Sequence, residues 1–418
     1  MKIKLNLRFL KEKYIELPKT ATTEIISPIT VKKKNYLSLI QNAVEKSAIG
    51  FSLSDFLRKN NRILIIVNDA TRFTPTEKAI DAIFPMIKDK DVRIIVATGA
   101  HRPPTLYELT TVILGKYYNI FRGRIILHDA TNDKEVLYIG KTTRKTEVYI
   151  NRIIKEVDGI IVIGSTEPHY FAGYTGGRKG IVPGIAAYST IEQNHRWALD
   201  EQARILKLKG NPVHEDLVES VRLVLNHVNI FGINLVVDDG HNIFACVAGD
   251  IFESHYQSVK YAEQVYVRRI NNLADIVIAI VPPPLDINLY QAQKAIENTK
   301  FAVNEGGVLI LVASCHEGIG PSNFYNLLTY SKNPEEIIEY AKKNYKLGYH
   351  KAVKFVETMG RCEILAVTEL QSEILERINI KSFNNIESAL NYSYEKLGRD
   401  IQVLVVMNAA VTVSITKY

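Results

Sequence analysis

The sequence predicts an α/β protein of two domains, each built on a mostly parallel sheet flanked by helices. Short apolar runs rich in Ile and Val recur at residues 62–67, 92–98, 160–164, 275–281, 306–315, 362–368 and 401–407. Runs of this length and composition are typical of buried parallel strands. Helix-length segments separate most of them, and this alternation indicates parallel sheets that are covered on both faces.

Composition narrows the class of protein. The chain of 418 residues is long enough for two or three domains. Its net charge of +7 comes from 52 basic and 45 acidic residues, and the basic residues are spread along the chain instead of forming the patch that a nucleic-acid site needs. The three cysteines form no C-x-x-C pair, and an odd number argues against a disulfide framework. The N-terminus has no apolar signal core, and no segment reaches the ~20 apolar residues of a membrane helix. We therefore expect a cytoplasmic protein that binds neither nucleic acid nor membranes.

The first domain is predicted over residues 1–270. Its strand at 62–67 leads into Asp69 and Arg72, and a helix follows over residues 76–88 with Pro75 near its first turn. The strand at 92–98 leads to His101 and then to a helix that starts at a capping box, Thr105 with Glu108. These polar residues fall where each predicted strand ends.

The remaining elements complete both domains. Residues 188–208 and 212–226 predict helices, and residues 231–238 and 242–248 predict a hairpin around the turn signal Asp239-Gly240. A second domain is predicted over residues 271–418, with helices at 291–303, 334–344 and 386–397 between its strands. We also considered that the last residues return to the first domain.

A glycine-rich loop after the strand at 160–164 is the most distinctive stretch. Lys179 lies between Arg178 and Gly180, so the loop lacks the Gly-Lys-Ser/Thr of a Walker A motif. The spacing of its glycines also differs from the dinucleotide fingerprint: Gly173, Gly176, Gly177, Gly180 and Gly184. Glycine loops with a basic residue at a strand end commonly hold phosphates or cofactors.

Polar residues at several strand ends indicate one site, because ligands of parallel sheets bind beyond the carboxyl ends of the strands. Each residue also has a simpler interpretation. Arg72 could pair with Asp69, and Lys179 could bind a phosphate. His169 and His195 do not make a metal site by themselves, because the sequence has no H-E-x-x-H motif and no cysteine cluster.

Four motifs together resemble the lactate racemase family, whose members use a nickel-pincer nucleotide. They are Asp-x-Thr-Arg at 69–72, Gly-x-His-Arg at 99–102, the loop at 167–184 with Gly-Gly-Arg-Lys, and Tyr-Gln-x-x-Lys at 290–294. They occur in the family's order and cover most of the chain. The resemblance implies a racemase or epimerase of a 2-hydroxy acid, with an active site in the cleft between two α/β domains.

The resemblance also implies a role for each matching residue. Lys179 would carry the cofactor, a pyridinium-3-thioamide-5-thiocarboxylic acid mononucleotide with nickel, within the N-terminal domain. Gly176, Gly177 and Arg178 would line the cofactor, and His195 would be the nickel ligand. His101 and His169 would be the acid and base. The substrate would be held by the remaining residues of the motifs: Asp69, Arg72, Tyr290, Gln291 and Lys294.

The sequence therefore leaves two functions open. In the first, proton-coupled hydride transfer gives a planar 2-keto acid that can be reduced on either face, and cofactor-assembly proteins bind the chain transiently. Lactate is one candidate substrate, and the Ala292 that follows Gln291 leaves others open. In the alternative, the chain is a non-catalytic phosphate- or nucleotide-binding protein that uses the loop at 173–184.

Overall fold

The computed structural model describes residues 2–5, 7–11, 14–17, 21–72, 74–238 and 240–416. It divides into two compact units. The N-terminal unit comprises Ile29–Val265, and the C-terminal unit joins Met1–Pro28 to Tyr266–Tyr418. The boundary lies a few residues before the predicted position near residue 270.

The strands, within the described residues, are β1 (Lys2–Lys4), β2 (Tyr14–Glu16), β3 (Thr22–Ile26), β4 (Arg62–Asn68), β5 (Asp91–Ala97), β6 (Ile125–Leu127), β7 (Val136–Lys141), β8 (Glu147–Asn151), β9 (Gly159–Ser165), β10 (Pro168–His169), β11 (Gly173–Tyr174), β12 (Asn229–Val237), β13 (Ile243–Gly249), β14 (Val267–Ile270), β15 (Ala274–Ile280), β16 (Val303–Val312), β17 (Glu363–Val367), β18 (Lys381–Ser382), β19 (Gln402–Val406) and β20 (Val413–Thr416).

The α-helices of the same residues are α1 (Tyr36–Val44), α2 (Leu53–Lys59), α3 (Thr76–Ile87), α4 (Tyr117–Phe121), α5 (Tyr188–Arg196), α6 (Pro212–Leu225), α7 (Glu253–Tyr266), α8 (Leu289–Thr299), α9 (Ser322–Leu328), α10 (Pro334–Lys343), α11 (Tyr349–Met359), α12 (Ser372–Glu376) and α13 (Ile386–Leu397). None of the described helices is both long and apolar enough to span a bilayer.

The N-terminal unit is built on a sheet with the strand order β13-β12-β9-β4-β5-β6. All neighbours are parallel except β12 and β13, which form the predicted hairpin. One face of the sheet packs against α1 and α3, through Ile63, Ile65 and Val67 on β4 and Ile80 and Ile83 on α3. Side chains alternate along a strand, so the other face of β4 is free to hold a different layer.

The glycine-rich loop occupies that other face. Gly180 lies so close to the sheet that a Cβ there would come within 2.6 Å of Val162 Cγ1 on β9 and 3.4 Å of Ile66 Cγ2 on β4. A Cβ on Gly184 would lie 2.1 Å from the carbonyl oxygen of Gly180. These two glycines are needed because the loop packs backbone against sheet and backbone against backbone.

The C-terminal unit has a fully parallel sheet in the order β18-β17-β16-β15-β19-β3. The prediction that residues 1–270 form one domain is wrong for the first 28, because β3 pairs with β19 and extends this sheet. The alternative that the last residues return to the first domain is also wrong, since β20 pairs with β14 in the C-terminal unit.

Two local predictions differ from the structure, and a third cannot be compared at one residue. The segment that begins at the Thr105 capping box forms a π-helix over Glu108–Ile113. The helix predicted over 188–208 ends at Arg196, and a short 3₁₀ turn, Trp197–Leu199, follows it. In the predicted turn at Asp239-Gly240, Asp239 lies outside the described residues.

Candidate active site

The predicted site residues of the N-terminal unit follow three strands that are neighbours in the sheet. Asp69 comes directly after β4, His101 comes after β5, and the segment with Glu167 and His169 comes after β9. In the sheet order β9-β4-β5 these strands are parallel and adjacent. Their carboxyl ends therefore bring the four side chains to one edge of the sheet.

Asp69 and His101 form a pair. The Nδ1 atom of His101 lies 2.7 Å from Oδ2 of Asp69, while Oδ1 of Asp69 accepts from the hydroxyl of Thr71 at 2.6 Å and from its N–H at 3.1 Å. Burial opposes ionisation of Asp69, but the bonds to His101 and Thr71 more than offset it and lower the pKa of the carboxyl. An ionised Asp69 accepts a proton-bearing Nδ1, so it holds the exposed His101 with its Nε2 lone pair available.

Arg72 pairs with Glu167 and not with the Asp69 side chain. Its Nη1 atom donates to Oε1 of Glu167 at 3.1 Å, and both side chains are partly buried. Glu167 is itself held by its backbone N–H, which donates to Thr175 Oγ1 at 2.9 Å. Asp69 was predicted to help bind substrate together with Arg72; the structure engages its carboxylate with His101 and Thr71 instead.

Phe171 lies in contact with three predicted site residues, and the sequence did not predict this position for it. Its ring is 2 % exposed. The His169 ring lies 4.5 Å away and perpendicular, and the His195 ring lies 5.0 Å away. The Lys179 Nζ atom stands over the Phe171 ring, 5.6 Å from its centre. The structure therefore brings His169, Lys179 and His195 around one aromatic side chain. The only sequence feature that could have indicated this role is the position of Phe171, two residues after the candidate histidine His169.

His169 is held differently from His101. Its Nδ1 atom accepts the backbone N–H of Ala172 at 3.3 Å, and its ring stacks on Tyr170 at 5.1 Å. Because Nδ1 is an acceptor in this bond, the neutral ring carries its proton on Nε2.

His195 lies in the last turn of α5. Burial lowers the pKa of this imidazole to about 3, and the charges of Lys179 and His101 lower it further. The ring is therefore neutral at physiological pH, and a neutral imidazole is the form that binds a metal ion. No group of three His, Cys, Asp or Glu side chains within the described residues could hold a metal, so a metal at His195 would need ligands from a bound group.

The turn that carries Lys179 is made possible by two glycines. Gly176 has φ +100° and Gly177 has φ +28°, and the 3₁₀ turn Gly177–Gly180 follows. A Cβ on Gly176 would lie 2.5 Å from Thr166 Oγ1, and one on Gly177 would lie 3.1 Å from Asn234 Oδ1. Side chains at these two positions would clash with Thr166 and Asn234, so the turn requires glycine at both.

Lys179 has a strongly perturbed amine. Burial lowers its pKa well below the usual value, the charges of Arg72 and Arg178 lower it further, and Glu167 opposes them. A lysine in this environment is neutral for a larger fraction of the time and is a better nucleophile.

Arg178 was predicted to contact a cofactor, but the structure does not support that role. Its guanidinium is fully buried beneath the loop and donates to His214, His255 and backbone carbonyl groups. His214, likewise, is a buried partner of Arg178.

The predicted residues of the C-terminal unit lie together on α8. Asn288 caps this helix by accepting the N–H of Gln291 at 3.0 Å, and Tyr290 and Lys294 are one turn apart on the same face. Tyr290 is fixed by Lys351, whose Nζ lies 3.6 Å from the ring centre and donates to the Tyr290 carbonyl oxygen at 2.7 Å. Burial raises the pKa of Tyr290 to about 12, so its phenol is a neutral donor.

Comparison with known proteins agrees with the four motifs. Residues 10–206 match the lactate racemase N-terminal domain, and residues 270–415 match the lactate racemase C-terminal domain. A lactate racemase from Lactiplantibacillus plantarum is 30% identical over 385 residues, which cover 88% of this chain and 89% of that protein. A lactate racemase from Thermoanaerobacterium thermosaccharolyticum is 29% identical over 367 residues, covering 86% of this chain and 81% of that protein.

The fold agrees as well. The structure of the lactate racemase apoprotein from Thermoanaerobacterium thermosaccharolyticum superimposes with a TM-score of 0.89 at 26% identity, covering 99% of this chain and all of that one. The predicted two-domain α/β architecture with mostly parallel sheets is thereby confirmed. With both domains matched and a relative at 30% identity over most of its length, the chain belongs to the lactate racemase family and is an isomerase of the racemase class.

Proposed function

We propose that this protein interconverts the two configurations at the hydroxyl-bearing carbon of a 2-hydroxy acid, such as lactate, through a 2-keto acid. A nickel-pincer nucleotide attached to Lys179 is the proposed cofactor. The observation that carries this proposal is the arrangement around Phe171, where a lysine with a depressed pKa and two histidines meet. The common nucleotide-binding loops do not require two histidines beside a lysine with a lowered pKa.

The residues fit the proposed cofactor. Attachment needs an uncharged lysine amine, and burial lowers the pKa of Lys179 well below its usual value, which favours that form. Nickel needs a neutral imidazole, and burial keeps His195 in that form. A single protein ligand suffices only if the bound group supplies the others, which is consistent with the lack of a three-residue metal cluster in the described residues. When bound, the nucleotide would accept a hydride from the substrate and return it.

The protein's part is to hold the substrate and move one proton. Arg72, held by Glu167 at 3.1 Å, would bind the carboxylate of the acid. His101 would take the hydroxyl proton at Nε2, because Asp69 occupies its Nδ1–H. His169 would serve the opposite enantiomer, whose hydroxyl points to the other side. Tyr290, Gln291 and Lys294 would complete substrate binding from α8, and assembly proteins would load the cofactor by transient contact.

The test is the intact mass of the protein after co-expression with a pathway that assembles the cofactor. We expect a mass increase of one sulfur-containing nucleotide in the wild type, none in Lys179→Ala, and nickel in the loaded protein. Lys155→Ala is the matched control, because Lys155 also lies on a 3₁₀ turn of the same unit but is exposed. It should load like the wild type.

Activity is then measured by chiral chromatography on both enantiomers of a panel of 2-hydroxy acids. Loaded protein should convert either enantiomer of its substrate to the racemate, and Lys179→Ala should convert neither. An unmodified wild type, beside a lactate racemase that loads in the same host, would contradict the proposed cofactor. The alternative of reversible nucleotide binding by the loop would then replace it.

A further inference from the structure

Tyr290 is held by one ammonium group at both its backbone and its ring. The Nζ atom of Lys351, on α11, donates to the Tyr290 carbonyl oxygen at 2.7 Å and lies 3.6 Å from the centre of the Tyr290 ring. A cation is attracted to the face of an aromatic ring, and the attraction is stronger where water is excluded. Lys351 is only 6 % exposed. The ring can therefore rotate away only by losing this contact, while the backbone of the same residue remains bound to the ammonium.

Lys351 is itself fixed to the helix that carries Tyr290. The Nε2 atom of Gln293, on α8, donates to the Lys351 carbonyl oxygen at 2.6 Å. Lys351 thus donates to α8 with its side chain and accepts from α8 with its backbone. Because the two hydrogen bonds run in opposite directions through one residue, the position of the ammonium relative to α8 is set at both ends of Lys351.

Two other contacts restrict Tyr290. The edge of the buried Phe324 ring meets the Tyr290 ring, with the ring centres 5.3 Å apart. Gly320 has φ +106°, and a Cβ there would lie 2.5 Å from Tyr290 Cβ. The neighbouring Ile319 accepts the backbone N–H of Tyr290 at 3.1 Å. The backbone and Cβ of Tyr290 are therefore packed against a segment that has no room for another side chain.

The hydroxyl of Tyr290, in contrast to its ring, makes no hydrogen bond to any of the described residues. Burial raises the pKa of this phenol to about 12, so the group carries its proton and is a donor. A partly buried phenol normally has a partner for its O–H. A ring that three neighbours fix, with an unused donor at its tip, is suited to binding an acceptor oxygen of a ligand.

We propose that Lys351 is a positioning residue that locks the Tyr290 ring in the conformation from which its hydroxyl donates to the substrate. The contact of Tyr290 with substrate rests on the proposed function, whereas the lock is a property of the C-terminal unit alone. Because the ring is restricted before binding, little conformational entropy is lost when the substrate is bound. Lys351 acts through Tyr290 and does not touch the substrate.

The test compares variants that separate these roles. Lys351→Met keeps an apolar stem of similar length but removes the charge and the donor. Lys354→Met is the matched control, because Lys354 is also buried on α11 but donates to Glu357 at 3.1 Å. Tyr290→Phe keeps the ring and removes the hydroxyl, and Tyr290→Leu removes the ring. If Lys351→Met does not fold, Lys351→Gln replaces it in every comparison.

The first measurement is urea unfolding of the apo protein for Lys351→Met, Tyr290→Leu and the double variant. If the ammonium holds the ring, either single substitution removes the same contact, so the two effects are coupled. We expect the unfolding constant of the double variant to be about 5- to 30-fold smaller than the product of the single effects predicts, the range for a desolvated cation on a ring. Lys354→Met should show no coupling with Tyr290→Leu.

The second measurement is the racemisation rate of loaded protein. Lys351→Met should raise the Michaelis constant about 3- to 10-fold, the order expected when one more side chain must be immobilised on binding, with kcat within about twofold of the wild type. Tyr290→Phe should also raise it, and adding Lys351→Met to Tyr290→Phe should raise it no further, because the positioned hydroxyl is already gone. A general structural defect would instead add to the loss of the hydroxyl. Lys354→Met should leave the Michaelis constant unchanged.

Three results would overturn the proposal. They are independent effects of Lys351→Met and Tyr290→Leu on unfolding, an unchanged Michaelis constant in Lys351→Met, and the same rise from Lys351→Met with and without the Tyr290 hydroxyl. A loaded wild type that racemises no 2-hydroxy acid would instead refute the proposed function. The unfolding measurement needs neither cofactor nor substrate, so it would still decide whether Lys351 locks Tyr290.

Discussion

The pairing of Asp69 with His101 gives the sharpest prediction for catalysis. Replacing Asp69 by Asn keeps the size of the side chain and its Oδ1 bonds to Thr71, but removes the charge that accepts the His101 Nδ1–H at 2.7 Å. An amide can also donate from Nδ2 to Nδ1, which moves the ring proton to Nε2. His101 in that tautomer cannot take a proton from a hydroxyl.

The size of the effect follows from the kind of bond that is lost. A hydrogen bond to a charged group contributes about 1.5–3 kcal/mol, against about 1 kcal/mol for a neutral one. If the whole charged bond supports the proton transfer, kcat falls by about 10- to 150-fold. The Michaelis constant should change little, because Asp69 contacts His101 and not the proposed substrate contacts.

The assay is the initial rate of racemisation by chiral chromatography, divided by the loaded fraction from intact mass. Asp129→Asn is the matched control. Asp129 accepts from the N–H of Thr131 at 2.9 Å and from its hydroxyl at 2.7 Å, which repeats the turn of Asp69 and Thr71. Among the described residues its carboxylate accepts no bond from a histidine, so Asp129→Asn should retain the wild-type kcat.

Asp69 does not support proton transfer by His101 if Asp69→Asn, loaded to the wild-type fraction, retains kcat within a factor of about two. If Asp129→Asn loses as much activity as Asp69→Asn, the local turn and not the histidine is responsible. A loss of loading without a loss of kcat would place Asp69 in cofactor binding.

Three further predictions follow. Gly184→Ala should destabilise the protein by about 1–3 kcal/mol or more in urea unfolding, because its Cβ would meet the Gly180 carbonyl at 2.1 Å; Gly360→Ala, with ordinary contacts at 3.5 Å, should not. His214 is protonated below pH ~6.5 in the unfolded chain but not in the folded chain. Because of this residue, the free energy of unfolding should fall by about 1.4 kcal/mol for each pH unit below that point. His214→Gln should remove this contribution to the pH dependence of the free energy of unfolding, whereas His227→Gln, at an exposed position, should leave that pH dependence unchanged. Arg72→Lys should raise the Michaelis constant about tenfold through loss of the bidentate fork, measured with the same racemisation assay, and an unchanged constant would remove Arg72 from carboxylate binding.

Much of the fold was predictable because the strands are buried on both faces. Continuous apolar runs then give strong local signals, and β4, β5, β9 and β15 lie within a residue or two of the predicted positions. The position of β3 in the sheet of the C-terminal unit was not predictable in this way. Its sequence, TTEII, alternates weakly, and its parallel partner β19 is nearly 380 residues further along the chain. Nothing local specifies such a pairing.

The strand-end positions of the candidate site residues were predictable from the sequence, but their contacts were not. The motifs placed Asp69, Arg72, His101 and Glu167 at strand ends, and an ion pair of Arg72 with Asp69 was one interpretation of their proximity in the sequence. The structure pairs each with a residue from a neighbouring strand end. Such pairing depends on the order β9-β4-β5 in the sheet, which the chain order β4, β5, β9 does not reveal. The burial of Arg178 was equally hidden, because its neutral partners His214 and His255 lie far along the chain.

The two candidate acid–base groups differ in a way that bears on the direction of proton movement. His101 gives its Nδ1 proton to a carboxylate, so its Nε2 is the acceptor; His169 accepts a backbone N–H at Nδ1, so the neutral ring carries its proton on Nε2. His101 thus presents a lone pair at Nε2 that can take a proton, whereas the neutral His169 presents an N–H there that can donate a hydrogen bond. His169 would have to change tautomer before it takes the hydroxyl proton of the opposite enantiomer. Because an enzyme cannot shift the equilibrium between the two enantiomers, Asp69→Asn should lower kcat/KM by the same factor in both directions, although His101 and His169 are held differently. Initial rates at low substrate concentration from each pure enantiomer, divided by the loaded fraction, measure this factor.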